Sequence, residues 1–74
     1  MKTNVSVKFN CIEEYREIEK KLEKMGYVND TERSGNPYLS NYVVIYTDGS
    51  FCTHLFKGLG KKIVYNSLEE FLKD

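Results

Sequence analysis

The sequence predicts an α+β fold of the order β-α-β-(long loop)-β-β-β-α, an antiparallel-rich sheet with one long helix packed on one face and a short C-terminal helix. Three observations carry that prediction. Alternating apolar residues open the chain, an apolar stripe at helical spacing follows, and two runs of aromatic and β-branched residues meet at Asp48-Gly49.

Val5, Val7 and Phe9 alternate with Asn4, Ser6 and Lys8, so residues 3–9 are expected to form a strand with one buried and one wet face. Asn10 stands where a helix N-cap belongs and Glu13 follows at capping-box spacing, which starts the helix at Cys11. Along it Cys11, Tyr15, Ile18, Leu22 and Met25, with Ile12 alongside, make a single apolar stripe. On the solvated face Glu17 with Lys21, Glu13 with Arg16 and Lys20 with Glu23 are spaced for ion pairs, each worth about 0.2–0.5 kcal/mol. Gly26 is placed to end the helix in the left-handed conformation, with Tyr27 packing back on Leu22 and a second strand opening at Tyr27-Val28.

Residues 30–40 contain the sole proline and no periodicity, and therefore read as a loop. It is longer than the usual connection of about four to six residues, which marks either a binding element or a mobile surface excursion.

With Asp48-Gly49 as a two-residue turn, the hairpin pairs Thr47 with Ser50, Tyr46 with Phe51, Ile45 with Cys52, Val44 with Thr53, Val43 with His54 and Tyr42 with Leu55. One face then carries Tyr42, Val44, Tyr46, Phe51, Thr53 and Leu55, and the other Val43, Ile45, Cys52, His54 and Phe56. Both are more apolar than a sheet with one wet side requires. The second face is therefore covered by the C-terminal helix or serves as a contact surface, with Tyr42, Tyr46 and Phe51 as the expected uncovered set. A connection at 57–61 leads to a short final strand over 62–65, at an edge of the sheet. Ser67-Leu68-Glu69-Glu70 is a full capping box that starts a helix over 68–73, with Leu68, Phe71 and Leu72 facing inward.

Seventy-four residues make one small domain, of a size for which oligomerisation is a common source of added stability. Eleven basic and eleven acidic residues cancel, which argues against a chain that coats nucleic acid or anionic membrane. The longest apolar run, 42–46, is too short to cross a bilayer, and Met1-Lys2 leads into a strand rather than a signal peptide. A soluble cytoplasmic protein with no membrane partner is expected. Cys11 and Cys52 read as core cysteines rather than a disulfide.

No catalytic set, metal site or cofactor motif emerges, so no enzyme is expected. Cys52 and His54 share a strand face, but side chains at i and i+2 stand about 6.5–7 Å apart, beyond hydrogen-bond reach. Cys11, Cys52 and His54 lack a fourth ligand and the paired spacings of a zinc site. Lys57, Gly58, Gly60, Lys61 and Lys62 form a glycine- and lysine-rich turn that, with Arg33, suits a phosphate or other anion. An ordinary glycine turn explains the same residues. Tyr38, Tyr42, Tyr46, Phe51 and Leu55 are the candidate partner interface, since tyrosine is enriched at protein contacts; stacking on single-stranded bases and plain core packing are the alternatives.

The order Val7-Lys8-Phe9 into Glu13-Glu14-Tyr15, Leu22 into Gly26-Tyr27, a tyrosine-rich strand into Asp48-Gly49, and Ser67-Leu68-Glu69-Glu70-Phe71-Leu72 resembles small α+β proteins encoded by phages and prophages of AT-rich bacteria. That resemblance implies a non-enzymatic inhibitor of a host defence system, which occupies a host protein or sequesters a nucleotide signal; the small size and the two-sided apolar hairpin add self-association. It assigns no residue a role.

Overall fold

The computed structural model describes residues 2–55 and 63–74. Strands β1 (Val5–Lys8), β2 (Val28–Asn29), β3 (Tyr42–Ile45), β4 (Ser50–His54) and β5 (Ile63–Tyr65) form one sheet, with helices α1 (Ile12–Lys24) and α2 (Leu68–Lys73). The spatial order is β2-β4-β3-β1-β5. β3 pairs antiparallel with β1 and β4, whereas β2 pairs parallel with β4 and β5 parallel with β1. The sheet is thus mixed rather than antiparallel-rich, with only β3 opposed to the other strands. Element order follows the sequence prediction; strand direction does not. The helix between β1 and β2 makes these two strands run in the same direction, and β4, which β3 sets in that direction as well, therefore meets β2 in parallel.

Both helices lie on the same face. Tyr15, Ile18 and Leu22 of α1 and Phe71 of α2 share one core with Val5, Val7, Phe9, Tyr27, Val43, Ile45, Phe51 and Tyr65. Ile12 and Leu68 pack against its rim. The phenol of Tyr65 meets Phe71 edge to face at 5.4 Å, and Phe9 tilts on Tyr15 at the same distance. Such pairs add about 0.5–1.5 kcal/mol beyond the area they bury. At the N-terminus, Tyr27 Oη donates to the Lys2 carbonyl at 2.6 Å, and the Lys2 ammonium sits 4.5 Å from the Phe71 ring centroid.

Several expectations shift by a residue. Cys11, not Asn10, is the N-cap of α1 and contributes no side-chain cap; Glu14, not Glu13, accepts the Asn10 N–H at 2.7 Å. Cys11 and Met25 are exposed, so the stripe is shorter than predicted and Cys11 is not a core cysteine. Among the described residues the ion pairs are Arg33–Asp30 and Lys73–Glu69; the three expected on α1 do not form. Gly26 does end α1 at φ 101°, with Tyr27 N–H donating to Leu22 C=O at 3.0 Å. In α2, Ser67 Oγ accepts the Glu70 N–H at 3.1 Å as the capping box predicts, while Leu72 points outward, 42% exposed.

The hairpin register is the main correction. Tyr42 faces His54, Val43 faces Thr53, Val44 faces Cys52 and Ile45 faces Phe51, one residue away from the predicted pairing. Thr47, Asp48 and Gly49 form a three-residue loop, in which Gly49 N–H donates to Tyr46 C=O at 3.0 Å and Gly49 takes φ 87°. Asp48 Oδ1 accepts both the N–H and the hydroxyl of Ser50, at 3.0 and 2.7 Å. Burial decides between the two registers. The observed one joins Phe51 to Val43 and Ile45 under the helices, whereas a two-residue turn would have placed Cys52 and His54 there.

Candidate functional site

The corrected register redistributes the predicted interface residues. Phe51 is 1% exposed and belongs to the core, so it offers nothing to a partner. Tyr46 faces away from the helices with Cys52 and His54, bound into a polar cluster. Tyr38 lines one depression, and Tyr42 and Leu55 line another that shares Asn10 and Asn41 with it.

This end of the sheet exposes apolar side chains from the long loop and from the strand ends. The turn at Pro37–Leu39 displays Tyr38 and Leu39 at 69% and 71% exposure. Asn36 shapes it: its side-chain Oδ1 accepts the Tyr38 N–H at 2.9 Å and its carbonyl accepts the Leu39 N–H at 3.0 Å. Asparagine is suited to this task because its carboxamide mimics a backbone turn, and the following proline already fixes one dihedral. Ser40 Oγ closes the turn on the Asn36 carbonyl at 2.7 Å. A depression of about 250 Å³ lies between this turn and the start of α1, lined by Cys11, Ile12, Tyr38 and Leu39. A wider, shallower one of about 490 Å³ adjoins it, lined by Lys8, Tyr42 and Leu55. Asn10 and Asn41 border both. Sequence reasoning missed Leu39 and Asn36; the Asn36-Pro37 dipeptide was the available turn signal.

The loop that carries the turn is tied to β4. Gly35 N–H donates to Thr53 C=O at 3.0 Å, Thr53 Oγ1 donates to Gly35 C=O at 2.9 Å, and Asn41 N–H donates to His54 C=O at 3.1 Å. Gly35 lies close to this strand: a Cβ there would stand 3.4 Å from Ser40 Oγ and 3.5 Å from Thr53 C=O. The long loop is therefore hydrogen-bonded to the sheet at Ser34, Gly35 and Asn41. Tyr38 and Leu39 are presented with their backbone already fixed.

On the face away from the helices, Tyr46 Oη lies 3.0 Å from His54 Nε2 and 3.4 Å from Cys52 Sγ. The Arg33 guanidinium covers the Tyr46 ring at 4.5 Å, and Arg33 Nε pairs with Asp30 at 3.0 Å. Partial burial, then the bond with Cys52, raises the Tyr46 phenol above its ordinary value, so it stays neutral and available as a donor. Cys52 is 0% exposed, a buried thiol linked to His54 through a phenol rather than paired with it as a nucleophile. Ser6, expected on a wet face, is also fully buried on this side beside Val44, and its hydroxyl has no partner among the described residues. Among the described residues no helix covers this face, so α2 does not take the role the sequence left open for it.

Of the predicted anion site, Arg33 is committed to Asp30 and Tyr46. Lys57, Gly58, Gly60, Lys61 and Lys62 lie outside the described residues. Among the described residues no group of three or more metal-ligating side chains converges, and no helix is long and apolar enough to cross a membrane. A third depression, about 190 Å³ between the helices, has Ile18, Ser67 and Leu68 in its lining with Glu14, Glu17, Glu69 and Lys8 around them. Comparison with family models, with curated proteins and with solved structures returns no match to this chain.

Proposed function

We propose that this chain is a non-catalytic binding protein that acts by protein–protein contact through the sheet end formed by Tyr38, Leu39, Tyr42 and Leu55. The observation that carries the reading is the exposure of Tyr38 and Leu39 on a turn whose backbone is hydrogen-bonded at Asn36 and Ser40. Ordering a loop on binding subtracts from the contact energy of its side chains, and a turn with its backbone already hydrogen-bonded lowers that cost. Tyrosine beside leucine, flanked by a shallow depression with a lysine at its edge, has the makeup of an interface anchor with a polar rim. The burial of Cys52 supports the non-catalytic half of the reading, because a substrate has no route to the thiol. The resemblance to phage-encoded inhibitors directs the search towards a bacterial host protein, with a second copy of the chain as the other partner to test.

The test compares the native chain with a Tyr38→Ala/Leu39→Ala double variant and a Leu72→Ala control, in capture from bacterial lysate and in sedimentation of the purified protein. A captured protein, or a dimer, present for the native chain and the control but weakened at least about thirtyfold in the double variant supports the reading. Capture and sedimentation identical for all three, or a monomer that captures nothing, sinks it.

A further inference from the structure

We propose that residues 30–36 form a strap over the outer edge of β4 that opens as a unit while the core stays folded, with Arg33 on Tyr46 as its latch. The need for a strap follows from β2, which pairs with only Ser50 and Phe51. Beyond those two residues the outward-facing backbone groups of β4 would be an open sheet edge. The strap covers them irregularly. Asp30 N–H donates to Phe51 C=O at 2.8 Å and Gly35 N–H to Thr53 C=O at 3.0 Å, while the chain between bulges away from the sheet. The Thr53 N–H, between those two carbonyls, ends on the side-chain hydroxyl of Ser34 at 3.3 Å instead of a backbone acceptor. That hydroxyl also donates to the Asp30 carbonyl at 3.1 Å, so it holds the strap's own bend and the strand edge together.

No strap residue belongs to the core. Asp30 and Ser34 are half-buried and the remainder are exposed. Segments with few buried apolar contacts and exposed backbone bonds are the ones that open below the free energy of global unfolding. Arg33 supplies the attachment that reaches around the edge. Its guanidinium lies over the Tyr46 ring, which is itself fixed through its hydroxyl to β4 at His54 and Cys52. Asp30 orients Arg33 from below through both Nε and the backbone N–H. Opening frees a row of carbonyl, N–H and carbonyl at Phe51 and Thr53. The opening itself stands whether or not the contact surface has the role proposed above.

Native-state amide exchange on the full chain tests the strap directly. The Asp30, Gly35 and Thr53 amides should share one protection level, below that of Val43, Val44 and Ile45. Arg33→Ala should speed the three strap amides by about two- to fivefold, the range of an exposed cation–π contact, and leave the β3 amides unchanged. Tyr46→Leu, which removes the ring, should act no further in an Arg33→Ala background. Exchange of the strap amides at the core level, at three unrelated levels, or at rates indifferent to Arg33→Ala would overturn the proposal. So would a uniform rise across every amide, which would make Arg33 a contributor to global stability instead of a latch.

Discussion

Phe51→Ala is the sharpest test of the hairpin register. In the observed pairing the ring faces the helices with Val43 and Ile45 and is 1% exposed. Removing a buried phenylalanine costs about 3–5 kcal/mol through lost transfer energy and the cavity left behind. A chain of this length has about 4–11 kcal/mol of total stability, at the usual 0.05–0.15 kcal/mol per residue. The variant should therefore lose between about a quarter and all of it. Urea titration followed by circular dichroism reads this out: with a slope of about 1 kcal/mol per molar, the midpoint falls by about 3 M or the variant is unfolded in buffer. Leu55→Ala, at 51% exposure, is the control and should stay within about 0.5 kcal/mol of the native chain. If Phe51→Ala costs under about 1 kcal/mol, the ring is not under the helices and the register argued here is wrong.

Two further outcomes follow from the same physics. Ser67→Ala removes the hydroxyl that accepts the Glu70 N–H and should cost about 1 kcal/mol, visible as a lower urea midpoint with unchanged slope; no change would mean that α2 does not depend on its cap. Four tyrosines have raised values: burial lifts the phenols of Tyr15, Tyr27 and Tyr46, and a hydrogen bond to Asp74 leads the causes that push Tyr65 up to about 12. A phenol whose folded value exceeds its unfolded one, about 10, contributes stability that is complete below that pH and lost as pH rises through the folded value. Stability should fall steeply above about pH 10, with phenolate absorbance rising together with unfolding. Ionisation of these four tyrosines near pH 10 in a chain still folded would contradict the burial argument.

The candidate site was legible in part. Tyr38, Tyr42 and Leu55 were singled out by type; Tyr38 lines one depression, and Tyr42 and Leu55 the other. Phe51 was assigned to the same surface and lies in the core, because one residue in the turn inverts a whole strand. Gly49 marked the bend, yet the same dipeptide serves a two-residue turn and the three-residue loop with a left-handed glycine that forms here. Leu39 was passed over since nothing in a lone leucine says that a neighbouring asparagine will hold it into solvent. The clustering of Arg33 with Tyr46 was out of reach, since it joins a loop to a strand through contacts no local pattern encodes.

Local chemistry alone determined the parts of this protein that depend on near neighbours: the alternation of β1, the stripe of α1, the glycine that ends it and the serine that caps α2. Those signals act within a turn or a few strand residues, so they survive in any fold that uses them. Tertiary structure decided strand direction, hairpin register and the placing of both helices on one face. Each of these is fixed by which apolar side chains find each other across the sheet, a competition between Phe51 and the Cys52/His54 pair for one buried surface. The same competition left Tyr46 to Arg33 on the far side and the Tyr38 and Leu39 side chains in water.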